Sequence, residues 1–261
     1  MLSLSRSSSS ASLPASARRF DGVDALRGIA MLWMTVFHFC FDLSHFGYWV
    51  QNFRSDPLWT VQRTLIVSMF LACAGLGQAL AHAQGVGWGR FGKRWAQVGG
   101  AALLVSAGSA LMFPRTFIYF GVLHGMAVML LIARVTAPAG RWLWPAGLVA
   151  LLLPAVAGWA LAGPLAFAAE CFDSRALNWL GLITHKPATE DYVPVLPWLG
   201  VMWWGLAAGQ WLLRHRPGWL AWSAPQGLRW LPALGRHSLA YYLLHQPVMI
   251  GALMAWGLLV R

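Results

Sequence analysis

Acidic residues are scarce in this chain: 8 Asp and Glu stand against 19 Lys and Arg among 261 residues, and all charged residues together make up only 10%. Soluble domains carry roughly a quarter of their residues as charges, so a supply this thin excludes an ordinary water-soluble globule. Cysteine is nearly silent, with 3 residues. Cys40 and Cys73 fall in apolar runs and Cys171 in a loop, which leaves neither a disulfide framework nor a metal-binding spacing. There is no Walker loop, no dinucleotide fingerprint after a strand, no His-Glu-x-x-His pair and no nucleophile elbow. The excess of positive charge, +11, is spread over short loops and matches topology signals, so no nucleic-acid partner is expected. No internal repeat of the inverted-repeat transporter kind is visible.

What the chain has instead is apolar length, with 58% hydrophobic residues. The expected fold is all-α, a polytopic transmembrane helix bundle of about seven spans: 23–46, 58–82, 94–112, 116–133, 142–161, 194–213 and 237–259. An eighth, re-entrant segment within 163–182 is the alternative, and it would reverse the side of the C-terminus. Most Lys and Arg fall on the side of the N-terminus. Arg54, Arg115, Arg175, Lys186 and Arg261 fall opposite, which places the N-terminus in the cytoplasm. Residues 1–19, rich in Ser and free of acids, are read as a disordered cytoplasmic tail rather than a targeting peptide, and 20–261 as one transmembrane domain. The longest loop, roughly 162–193, holds four of the eight acids (Glu170, Asp173, Glu190 and Asp191) on the outer side. The glycine-rich stretch Gly85 to Gly92 reads as a cytoplasmic turn, with phosphate contact as a lesser option.

The first span carries Asp24, Arg27, Met31, Met34, His38, Asp42 and His45 at gaps of three or four residues, one face of a 3.6-residue helix. Ionisable groups at membrane depth cost several kcal/mol unless they face protein or a water-filled cavity, so this row must look inward. Arg27, near the cytoplasmic end, suits an anionic group, because a guanidinium grips phosphate with a fixed fork of donors. His38 lies deeper, where an imidazole can take and return a proton, and Asp42 one turn on is placed to fix its tautomer. The blander alternatives are an interfacial ion pair for Asp24 and Arg27, and solvated outer positions for Asp42 and His45. Further cavity candidates are His124, between Gly121 and Gly125, and Tyr242, His245 and Gln246 before Pro247. Arg63, Ser68, Gln78 and Tyr241 read as lesser partners. No metal is expected, since the only His pair with ligand-like spacing is His38 and His45.

Phe-Asp-Gly-Val-Asp-Ala-Leu-Arg-Gly-Ile-Ala-Met (20–31), running on to His38-Phe39, resembles the opening of the heparan-alpha-glucosaminide N-acetyltransferase catalytic-domain family, many of whose members are bacterial. Further segments follow in family order: Tyr119 to His124, Asp191-Tyr192 with Val195 to Gly200, and Leu234 to Leu239 with Tyr242 to Pro247. The resemblance implies a multispan acyltransferase of the bacterial inner membrane. Such an enzyme takes acetyl from cytoplasmic acetyl-CoA and delivers it to an amino sugar across the bilayer, so that acyl-CoA, a saccharide acceptor and lipid are its partners; a homodimer is an open option. The wider transmembrane acyltransferase group uses an Arg and a His separated by ten residues, which Arg27 and His38 match. The animal enzyme's essential His lies in the loop after the first span, near where Arg54 stands here, so His45 is kept as a catalytic alternative beside His38 and Asp42. Transfer can be direct, with His38 as base, or pass through an acetyl-histidine. Proton-coupled transport and a non-catalytic assembly role are the competing functions.

Overall fold

A computed structural model describes residues 20–259, and the 1–19 tail lies outside the described residues. The described chain is helical: α1 (Asp21–His45), α2 (Pro57–Ala83), α3 (Trp88–Met112), α4 (Val122–Thr136), α5 (Leu143–Ala162), α6 (Ala169–Asp173), α7 (Val195–His215), α8 (Pro217–Leu220), α9 (Trp230–Arg236) and α10 (Ser238–Leu259). Helices are what an apolar chain in lipid must adopt, because each then satisfies its own backbone hydrogen bonds. The ends carry local signals. Asp56 accepts from the Leu58 N–H at 2.8 Å and Pro57 opens α2, while Asp21 and Asp24 occupy the positive first turn of α1.

Each of the seven expected segments coincides largely with a helix, but among the described residues five stretches are long and apolar enough to cross a membrane: Asp21–His45, Pro57–Ala83, Trp88–Met112, Val122–Ala162 and Ser238–Leu259. The protein is therefore polytopic. The fourth stretch is 41 residues long and is broken at Ala137–Trp142, where Gly140 takes a φ of 59° that a side chain would resist. α7, the sixth expected span, falls outside this set because its Trp, Gly and Gln dilute its apolar residues. It is covered by protein instead. It packs between α2 and α5, with Met202 and Leu206 completely buried beside Leu71 and Met129.

Two backbone crossings hold the bundle together. A Cβ on Gly75 of α2 would lie 2.0 Å from the Met202 carbonyl oxygen, and one on Gly205 of α7 would lie 2.3 Å from that of Ala72. At the start of α1, a Cβ on Gly235 would meet the Asp24 carbonyl oxygen at 1.8 Å, which presses α9 onto α1. Small residues permit this approach, and it is the main source of helix association where lipid supplies no hydrophobic drive.

Several expectations are corrected. The fourth segment is not helical from 116; α4 begins at Val122. The chain before it is pinned in an irregular path by Ser106 Oγ donating to the Ile118 carbonyl at 2.6 Å and by Ile118 N–H donating to Ser109 Oγ at 2.9 Å, bonds that compete with the helical ladder. The Gly85–Gly92 stretch turns at Gly85, with φ 62°, and passes through the extended Gly87 into α3, which starts at Trp88 and takes in Gly89 and Gly92. Residues 163–182, the segment of the eighth-span alternative, fold as α6 between two short 3-10 turns.

The loop after α5 folds back on 113–121. Tyr192 Oη donates to the Asn178 carbonyl at 2.6 Å, Asn178 Nδ2 to Tyr119 Oη at 2.8 Å, and Thr189 Oγ1 to the Phe117 carbonyl at 2.9 Å. Within the loop, Asp173 accepts from the Thr184 N–H, the Thr184 hydroxyl and the His185 N–H. Burial pushes its carboxyl up, but these donors outweigh that and hold it at about 2, below its usual 3.8. A carboxylate held low contributes stability that is complete above its unfolded value and is lost as pH falls through about 2. The loop is thus expected to stay locked until strongly acidic pH, whereas Asp173→Ala is expected to speed amide hydrogen exchange at Thr184 and His185 at neutral pH; unchanged exchange would contradict the lock.

Candidate functional site

Three rungs join α1 to α10. In the first, Thr35 Oγ1 lies 2.7 Å from Tyr241 Oη; because the Thr35 hydroxyl already donates to the Met31 carbonyl at 2.8 Å, Tyr241 is the donor. In the second, His38 Nδ1 lies 2.8 Å from His245 Nε2, with the rings 21° from parallel and their centroids 5.1 Å apart. In the third, Gln246 Nε2 donates to Asp42 Oδ1 at 2.7 Å. Positions 35, 38 and 42 share one face of α1, so a single helical stripe supplies all three.

His245 is held from further directions. Its Nδ1 lies 2.7 Å from the Tyr242 carbonyl oxygen, the Tyr241 ring stacks on it within 5° of parallel, and it is 8% exposed. The carbonyl that Pro247 deprives of its helical donor is that of Leu243, four residues back; the one His245 uses is that of Tyr242. Asp42 is buried, and it does not bond His38 as the spacing suggested: its one recorded partner is Gln246, and Asp42 Oδ2 and Gln246 Oε1 have no hydrogen-bond partner among the described residues. Buried polar atoms are nearly always paired, so this end of the ladder has capacity for one more polar group.

The remaining candidates lie apart from the His pair. Arg27 and Asp24 form an ion pair of 2.9 Å near the start of α1, which is the structural alternative raised for them. The Arg27 side chain keeps 26% of its exposure and four further N–H groups beyond the one on Asp24. Arg27 precedes His38 by eleven positions, about 16 Å along the axis. His124 caps its own helix: Nδ1 accepts from the Gly121 N–H at 3.3 Å, and Nε2 lies 3.0 Å from Ser106 Oγ. Because Ser106 donates to Ile118, His124 must donate to Ser106, so both ring nitrogens are occupied. His45 is exposed at the end of α1, against Phe41, Phe46 and Phe113. It lines a cleft of about 380 Å³ with Ser44, Gln51, Asn52, Phe53 and Arg54.

Asp191 ties the long loop to this region. Its Oδ2 accepts from the Val122 N–H at 2.7 Å, which satisfies the first turn of α4. Burial pushes its carboxyl up, against the pull of that bond and of the nearby Lys186 and Arg63 charges. Lys186 in turn is pushed down by burial and then by Arg63. Asp191 is also within electrostatic reach of Tyr242, so the loop stands close to α10.

Thr35 is the member of the ladder that the sequence did not single out, and Tyr241 was read only as a lesser partner. Thr35 lies one turn before His38, and that spacing was the available signal. The family model described as heparan-alpha-glucosaminide N-acetyltransferase, catalytic, matches residues 19–247, which takes in Asp24, Arg27 and every rung of the ladder. No curated protein and no solved structure matches the chain significantly.

Proposed function

Because the chain belongs to the heparan-alpha-glucosaminide N-acetyltransferase catalytic family, we propose that it is a membrane acyltransferase that moves an acetyl group from acyl-CoA to a sugar amine or hydroxyl reached from the opposite face. In this reading the N-terminus is cytoplasmic, the helices make seven crossings of the bacterial inner membrane with α7 included, and the Asp21 end of α1 faces the donor. The observation that carries the proposal is the His38–His245 pair. An imidazole with a recorded partner on one nitrogen sits inside the bundle, on the helix whose Arg27 and His38 have the spacing of transmembrane acyltransferases.

The chemistry asks for one base. His38 takes the proton from the acceptor as its nitrogen or oxygen bonds to the thioester carbonyl carbon; the carbon–sulfur bond breaks, and the proton passes from the imidazolium to the departing thiolate. Holding acceptor and thioester together in the bundle supplies the rest, since a positioned pair reacts as one molecule. Arg27 holds donor phosphate with the N–H groups that Asp24 leaves free. The unpartnered Asp42 Oδ2 and Gln246 Oε1, one turn beyond the His pair, suit the hydroxyl donors of a sugar.

Binding of acetyl-CoA to the purified protein in nanodiscs tests the donor side. Charge-assisted hydrogen bonds contribute about 1.5–3 kcal/mol, so Arg27→Ala is expected to weaken binding by about 10- to 100-fold. His38→Ala is expected to leave it nearly unchanged. No saturable binding by folded wild type would contradict the proposal and favour transport or assembly.

A further inference from the structure

We infer that His245 is a positioning residue that fixes the tautomer of His38, so that the nitrogen of His38 that exchanges protons with substrate is Nε2. The inference rests on the acyltransferase reading for its chemistry but on the helix contacts alone for its geometry.

A carbonyl oxygen only accepts hydrogen bonds, so the 2.7 Å contact between His245 Nδ1 and the Tyr242 carbonyl requires a proton on His245 Nδ1. A neutral imidazole carries one proton, and His245 Nε2 is therefore a bare lone pair. That lone pair lies 2.8 Å from His38 Nδ1, which must then be the N–H donor of the pair. His38 Nε2 is left as the lone pair free to act on a ligand. The order of groups is carbonyl, His245, His38, substrate. When His38 Nε2 accepts a proton, the Nδ1–H to His245 bond becomes a charge-assisted one, and the Tyr242 carbonyl, through His245, stabilises the imidazolium. The carboxylate that orients a catalytic histidine in hydrolytic triads is here replaced by a second histidine backed by a peptide group.

The surroundings keep His245 in this orientation. Tyr241, whose hydroxyl is tied to Thr35, lies flat on one side of its ring. Tyr242 is tilted across it at 5.7 Å. The Thr35–Tyr241 and Asp42–Gln246 rungs flank the pair, so α10 stays docked on α1 when residue 245 is replaced. This makes the role separable from helix packing.

Three forms of the protein carrying ¹⁵N-histidine are to be compared in nanodiscs: wild type, His245→Gln, whose amide oxygen can still accept, and His245→Phe, which cannot. The His38 resonances are assigned by their loss in His38→Gln. Wild type at a pH where the ring is neutral is expected to show a protonated Nδ1 and a bare Nε2, and His245→Gln to keep that signature. His245→Phe is expected to lose it and to lower kcat by about 10²-fold or more with KM within about twofold, as losses of an orienting partner do. A protonated Nε2 on wild-type His38 would overturn the inference. So would a His245→Phe variant that keeps the Nδ1–H signature and kcat, or Gln and Phe variants that lower stability alike without changing the signature. Should wild type show the expected tautomer yet transfer no acetyl group, the His pair stands and the acyltransferase reading fails.

Discussion

His38→Ala is expected to lower acetyl transfer by about 10²- to 10⁴-fold, the range that a positioned general base contributes, while the protein stays folded in its membrane. The large effect on rate follows from geometry. His38 Nδ1 is within hydrogen-bond distance of His245 Nε2, and among the described residues these are the two imidazoles that join α1 to α10 by a hydrogen bond. The small effect on folding follows from the neighbouring rungs, because Thr35–Tyr241 and Asp42–Gln246 hold the two helices when His38 is truncated. What truncation does cost is the donor to His245 Nε2, about 1–3 kcal/mol for a buried polar atom left alone. The check is initial rate together with the thermal midpoint in detergent. Full activity in folded His38→Ala would move the base to His45, the exposed imidazole beside the 380 Å³ cleft.

The second large effect is on stability. Gly75→Ala is expected to destabilise the bundle by about 1–3 kcal/mol or more, the cost of overpacking a close contact. The new methyl carbon would sit 2.0 Å from the Met202 carbonyl oxygen and 2.7 Å from the Leu206 nitrogen, and both are backbone atoms that cannot swing away. α7 must move as a whole, and with it the core around Met202 and Leu206. Gly99→Ala in α3 is the control. Its Cβ would meet nothing within 4 Å, so the same chemical change is expected to be neutral or to raise stability by up to about 1 kcal/mol through helix propensity. Equal midpoints for the two variants would show that the α2–α7 crossing does not depend on glycine.

The helices were legible where the chain is uniformly apolar. Those expected over 58–82, 142–161 and 237–259 agree with α2, α5 and α10 to within about two residues, since long apolar runs leave no competing structure. Two misreadings have separate sources. The expected start at 116 was undone by side-chain bonds that a hydropathy window does not register, those of Ser106 and Ser109 to Ile118, whereas the glycines of 85–92 suggested a turn where α3 extends back to Trp88. The span count is finer than apolar length can settle, because α7 owes its place to helices packed on both sides rather than to its own hydropathy.

The site was half legible. A periodicity of three and four residues along α1 put His38 and Asp42 on one face, and His245 and Gln246 stood out as polar groups in an apolar helix. The pairing between them was not legible, because it joins residues more than two hundred positions apart. Proximity along α1 suggested Asp42 as the partner of His38, yet one helical turn separates them and Gln246 reaches Asp42 from α10. Glycine gave a similar lesson at His124. The flanking Gly121 and Gly125 pointed to a close approach, and a Cβ on Gly125 would indeed lie 2.4 Å from the Val193 carbonyl oxygen, but His124 itself serves as a helix cap.

The activity proposed for this protein is transfer of an acetyl group from acyl-CoA to a sugar amine or hydroxyl across the bilayer. Its most direct test is a vesicle experiment with purified protein inserted in one orientation, labelled acetyl-CoA outside on the face of Asp21 and Arg27, and glucosamine sealed within. Labelled N-acetylglucosamine is expected inside, formed at a rate that collapses with His38→Ala, while acetyl-CoA never enters. Folded wild type that binds acetyl-CoA but leaves the enclosed sugar unlabelled, or that labels it equally well in the His38→Ala form, would contradict it.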